Sequence, residues 1–66
     1  MYERFEELLA KTGETTYQVC KSTGISTSTI YNWKSRGGEL KASLLIRLAK
    51  HFNVSVEFFF KTEQPG

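Results

Sequence analysis

The chain has 66 residues, one cysteine, one histidine and a formal net charge of +2. That length allows one domain and no more, and a single cysteine with a single histidine excludes both an internal disulfide and a four-ligand structural zinc site. A chain so short buries only ~60% of its unfolded surface, so stability must come from a well-packed apolar core, with five Phe, three Tyr and one Trp as its large units.

Periodicity predicts a first helix over residues 2–11, where Tyr2, Phe5, Leu8 and Leu9 recur at spacings of three and four and share a face. Gly13 is placed to end it as a left-handed cap. A second helix starts at Thr15, which has the capping-box spacing with Gln18 and turns Val19, Cys20 and Thr23 inward. Gly24 supplies the positive φ of a sharp turn. Ser26 caps a third helix over about 27–36, with Ile25 and Ile30 as a hydrophobic staple that sets the angle at which the chain enters it. Ile30 and Trp33 anchor that helix, and Gly37-Gly38 ends it.

A fourth helix over roughly 41–52 buries Leu45, Leu48, Ala49 and Phe52, and Asn53 is suited to a left-handed termination. Ser55 caps a last short helix, with Val54 and Phe59 as a second staple. Five helices joined by short loops make an all-α domain over 1–61, followed by a polar tail at 62–66 that reads as the start of a linker.

Charge is unevenly spread. No acid lies between Glu14 and Glu39, whereas Lys21, Lys34 and Arg36 do; the rest of the chain has six bases against seven acids. The positive charge therefore sits on one segment, as a site facing an anion requires. Placed at about 100° per residue with Ile30 and Trp33 inward, the third helix presents Ser28, Tyr31, Asn32 and Ser35 outward, with Thr27 at its N-terminal tip. This set suits base edges: Asn can pair bidentately with adenine, hydroxyls donate or accept, and a Thr methyl or Tyr ring can touch a thymine methyl. Lys34, Ser35 and Arg36 suit phosphates, as do Thr15 and Thr16 at the N-terminus of the second helix, where free N–H groups and the positive dipole end lie.

The stretch TTYQVCKSTGISTSTIYNWKSRG resembles the helix-turn-helix of the lambda-repressor and Cro (XRE) family, and LLIRLAKHFNVSVEFFF resembles that family's closing helices, with Asn53 where glycine is usual. The resemblance covers nearly the whole chain. It implies a five-helix lambda-repressor-like domain with the helix-turn-helix at helices 2 and 3, acting as a phage- or prophage-type transcriptional repressor on a double-stranded DNA operator. In that family the residues matching Thr27, Ser28 and Asn32 touch bases, and the residue matching Thr16, often Gln, holds a phosphate and braces the third helix. Two features depart from the pattern. Thr16 is shorter than Gln, and Cys20 stands where a small Ala is usual at the helix crossing. Family members bind two half-sites as dimers, which makes Ile46, Val56 and Phe60 the candidate contacts of a homodimer.

Other classes find little here. The chain has no Asp, and its one His has no nucleophile or acid partner close in sequence; no glycine-rich phosphate loop and no metal spacing appears. An enzyme, a cofactor, a metal and a small-molecule substrate are thus not expected. No apolar run reaches the ~20 residues of a membrane span, and the charged start MYERFEELL is not a signal peptide. A cytoplasmic protein, nucleoid-associated when bound, is the expectation. The alternative to DNA binding is a protein-interaction module that keeps the fold, motivated by the apolar surplus at Leu44, Ile46 and Phe60.

Overall fold

The computed structural model describes residues 1–60, which form four α-helices followed by one 3-10 helix. These are α1 (Tyr2–Thr12), α2 (Thr16–Thr23), α3 (Thr27–Arg36), α4 (Ala42–Phe52) and the 3-10 helix Val56–Phe60. The tail assigned to 62–66, and the end of the domain placed at residue 61, lie outside the described residues.

The helix ends follow from residue types. Thr15 accepts from the Gln18 N–H at 3.2 Å while Gln18 Oε1 accepts from the Thr15 N–H at 2.9 Å, a complete capping box at the start of α2. Ser26 Oγ caps α3 by accepting from the Ser28 N–H at 3.2 Å. Asn53 takes the left-handed region at φ 58°, donating to Lys50, while the Val54 N–H reaches back to the Ala49 carbonyl at 2.9 Å, as a Schellman ending requires.

Gly24 ends α2 at φ 78°, and a Cβ added there would meet nothing nearer than Arg47 Nη1 at 3.9 Å. The space is open, so the need for glycine is purely conformational. We expect Gly24→Ala to lower stability by ~1–2 kcal/mol, the cost of a left-handed alanine, read as a fall in the denaturant midpoint with unchanged m-value. An unchanged midpoint would show that the turn tolerates another backbone path.

The expected fifth helix takes 3-10 form. Five residues are too short to sustain α-helical i→i−4 bonding, and the Phe58 N–H instead reaches three residues back to the Ser55 carbonyl at 3.1 Å. Ser55, read from sequence as a side-chain cap, thus contributes its backbone carbonyl. Phe59 alone of the three phenylalanines is fully buried; Phe58 is half-buried and Phe60 exposed.

One core joins all five elements: Phe5 and Leu8 of α1, Val19 and Cys20 of α2, Ile30 and Trp33 of α3, Leu45, Leu48 and Ala49 of α4, and Phe59, with Ile25 and Leu40 from the connections. Trp33 is its aromatic junction. Its ring meets Tyr2 edge-on at 5.1 Å between centroids and Phe5 at 5.7 Å, and its Nε1–H donates to the Gly38 carbonyl at 3.3 Å. Phe52, expected among the buried residues, is only half-buried but packs edge-on against Phe5 at 6.1 Å. Cys20 is buried where α2 packs on its neighbours, and burial pushes its thiol pKa up, which keeps it in the unreactive protonated form.

The two ends of the described chain are tied down by long-range contacts. α1 packs on the 3-10 helix. The Leu40 N–H approaches Met1 Sδ at 3.4 Å across 39 positions of sequence.

Candidate nucleic-acid interface

α3 lies with Ile30 and Trp33 in the core, and that inward pair fixes what its other faces present. Ser28, Tyr31, Asn32, Lys34, Ser35 and Arg36 are all exposed, and Tyr31 keeps 53% of its surface. Thr27 and Thr29 are half-buried. Of the four residues read from sequence as base-contacting, the structure thus puts Ser28, Tyr31 and Asn32 on one open face and Thr27 at its partly covered tip. No acid stands on α3, and its last turn carries Lys34 and Arg36. The face offers hydroxyls, an amide and a phenol, with cations at one end, a set suited to base edges and phosphates.

α2 supplies the second part of the surface. Its first turn has no acid, its N-cap is Thr15, and Thr16 is half-buried behind it. Tyr17 stands beside them with 65% of its surface exposed. Glu14 immediately precedes this N-terminus and would repel a phosphate there. Its carboxylate is instead held at 2.8 Å from His51 Nε2 on α4. An ionised carboxylate only accepts, so the imidazole donates through Nε2. The acid partner for His51, which local sequence spacing did not provide, comes from 37 residues away.

A third part escaped the sequence reading. Asn32 and Arg36 share a groove with Thr29, Glu39, Lys41 and Leu44, so the start of α4 stands beside the exposed face of α3. Lys41 is the N-cap of α4 and makes no capping bond with its side chain, and the first turn of α4 has no acid. This leaves a lysine and a free helix N-terminus next to Arg36, a second place suited to phosphate. The signal in the sequence was a helix beginning KAS rather than with Ser, Thr, Asp or Asn as cap.

Lys34 sits differently from Arg36. It lines a separate groove with Met1, Tyr2, Glu3, Glu6, Gly37 and Gly38, on the side where α1 meets the end of α3. The Tyr2 hydroxyl in that groove has its pKa raised, first by burial and then by the nearby Glu6 carboxylate and Tyr31 hydroxyl.

The proposed dimer contacts are unevenly exposed. Ile46 and Phe60 keep 44% and 50% of their surface, while Val56 is half-buried against the core, as is Leu44. Among the described residues no group of three or more His, Cys, Asp or Glu could hold a metal ion, and no helix is long and apolar enough to cross a membrane.

The helix-turn-helix family model matches residues 7–59, spanning α2, α3, α4 and most of α1. No curated protein and no solved structure matches the chain.

Proposed function

The chain belongs to the lambda-repressor/Cro-like helix-turn-helix family, and from that premise we propose that it binds double-stranded DNA sequence-specifically as a transcriptional regulator. The observation that carries this reading is the exposed, acid-free face of α3, held rigidly from behind by Ile30 and Trp33. With α3 in the major groove, Thr27, Ser28, Tyr31 and Asn32 read base edges. Thr15 and Thr16 at the start of α2, with Lys34, Ser35 and Arg36 at the end of α3, hold phosphates, and Lys41 with the α4 N-terminus extends that set.

The finer form of this reading is a phage- or prophage-type repressor that acts on its operator as a homodimer and is cytoplasmic and nucleoid-associated when bound. Two copies would meet half-sites about one helical turn apart. Ile46 and Phe60, with the partly covered Val56, are the surface we assign to that pairing.

Selection from a random-sequence DNA pool, followed by salt titration on the selected site, tests the proposal. Binding should fall steeply as salt rises, because each phosphate neutralised by a cation releases counterions. Arg36→Ala should weaken selected and unrelated DNA alike and lower the slope of log K against log salt by about one. A selection that enriches no sequence, with binding to other partners that ignores salt, would favour the protein-interaction alternative built on the exposed Ile46 and Phe60.

A further inference from the structure

Two cations end α3, and the fold treats them differently. Arg36 opens towards Asn32, Lys41 and the start of α4, in a groove that also holds Glu39. Lys34 turns to a different groove, whose other charged members are Glu3, Glu6 and the Met1 ammonium. The groove exists because α1 runs against the back of α3, where Tyr2 packs edge-on to Trp33 at 5.1 Å. Gly37 and Gly38, both at positive φ, turn the chain away and leave its floor open. Glu3 is already matched, since the Met1 ammonium lies 2.9 Å from its carboxylate. Glu7, the third acid of this helix, pairs with Arg4. Glu6 is exposed and has no cation within ion-pair distance among the described residues. Its field reaches the Tyr2 hydroxyl, which is also within the field of Tyr31 on the DNA-facing side of α3. The Glu6 carboxyl group therefore lines the same groove as Lys34, at the edge of the surface that faces DNA.

Resting on the DNA-binding reading, we propose that Glu6 is an affinity-setting residue: it counterbalances Lys34 and limits the chain's grip on the phosphate backbone without reading any base. A phosphate approaching Lys34 meets a carboxylate on a helix whose backbone is held beside α3 by the Tyr2 and Phe5 contacts with Trp33. Lys34 thus delivers less than one full phosphate contact, and the proximity of Glu6 adds a repulsion of its own. The effect is the same for the operator and for unrelated sequences, since it acts on the backbone alone. Its purpose in such a protein is to keep non-specific occupancy low, because non-specific binding rests on this electrostatic contribution.

The test is a double-mutant cycle of Glu6→Gln and Lys34→Met, with Kd measured by fluorescence anisotropy on a selected duplex and on a random duplex, from about 50 to 200 mM salt. Glutamine keeps the size of Glu6 and methionine keeps most of the Lys34 stem, and circular dichroism checks that each variant is folded. Glu6→Gln should tighten binding to both duplexes by the same factor. It should steepen the salt slope by about one, so that its advantage grows roughly three- to fourfold from 200 to 50 mM. Lys34→Met should weaken binding only slightly in the unmodified chain and several-fold more when Glu6 is Gln. If Glu6→Gln leaves Kd and slope unchanged while the unmodified chain binds in a salt-sensitive way, the inference fails and the DNA reading survives. If the effects of the two substitutions simply add, Lys34 is not the partner of Glu6 and the inference also fails. Absence of any salt-sensitive binding by the unmodified chain overturns the DNA reading and this inference with it.

Discussion

Trp33→Ala should unfold a large part of the population. The side chain is 4% exposed, meets the rings of Tyr2 and Phe5, and ties down the chain reversal after α3 through Gly38. Truncating a buried aromatic costs ~3–5 kcal/mol, whereas a chain of this length holds only ~3–10 kcal/mol in total at ~0.05–0.15 kcal/mol per residue. Denaturation followed by circular dichroism gives the reading, because the substitution removes the only tryptophan fluorophore. Trp33→Phe separates the causes. It keeps an aromatic body beside α1 and loses the Nε1 bond and some volume, so a loss smaller than that of the alanine variant is expected. A fully folded Trp33→Ala protein would mean that α3 is seated by Ile30 alone.

Asn32→Ala should have the opposite profile: a fold left intact and recognition damaged. Asn32 is exposed on α3 and lies on the Arg36 side of its open face, so its loss leaves no cavity. A bidentate amide–base contact is worth ~1–3 kcal/mol of discrimination, which corresponds to roughly 5- to 150-fold in Kd for the selected site. The loss should concentrate at one base pair: substituting that pair should hurt the unmodified protein and leave the variant indifferent. Affinity for random DNA should hardly change, because that binding rests on phosphates. A variant that kept both the affinity and the preference at every position would show that Asn32 faces away from the bases, and the assignment of the α3 face would have to rotate towards Ser35 or Thr29.

These two substitutions also mark what could be read from residues alone. Inward and outward positions on α3 followed from Ile30 and Trp33, because helical period converts sequence spacing into direction. The turns followed as well: Thr15 with Gln18, Ser26, Gly13 and Gly24 are local chemistry, decided within a few residues of the helix end they serve. What period cannot supply is which element lies opposite a given face. Lys34 was read as a flank of the DNA surface, but nothing in its neighbourhood of the sequence places Glu3 and Glu6 across from it. The Glu14–His51 pair and the burial of Leu40 depend on the same kind of distant meeting. The 3-10 form of Val56–Phe60 was missed for a different reason. Caps and staples mark where a helix begins, and only the small number of residues available decides how tightly it winds.

The packing of α1 on the 3-10 helix has a consequence for how the molecule forms. α2, its turn and α3 assemble from near neighbours and need little loop closure. Seating α1 against the 3-10 helix, and Met1 against Leu40, joins segments tens of residues apart, and that closure costs conformational entropy which grows with the logarithm of the enclosed length. The contacts of α1 with the 3-10 helix are non-local, whereas those between α2 and α3 are local. α2 and α3 thus carry the lower closure cost, and the packing of α1 on the 3-10 helix the higher one.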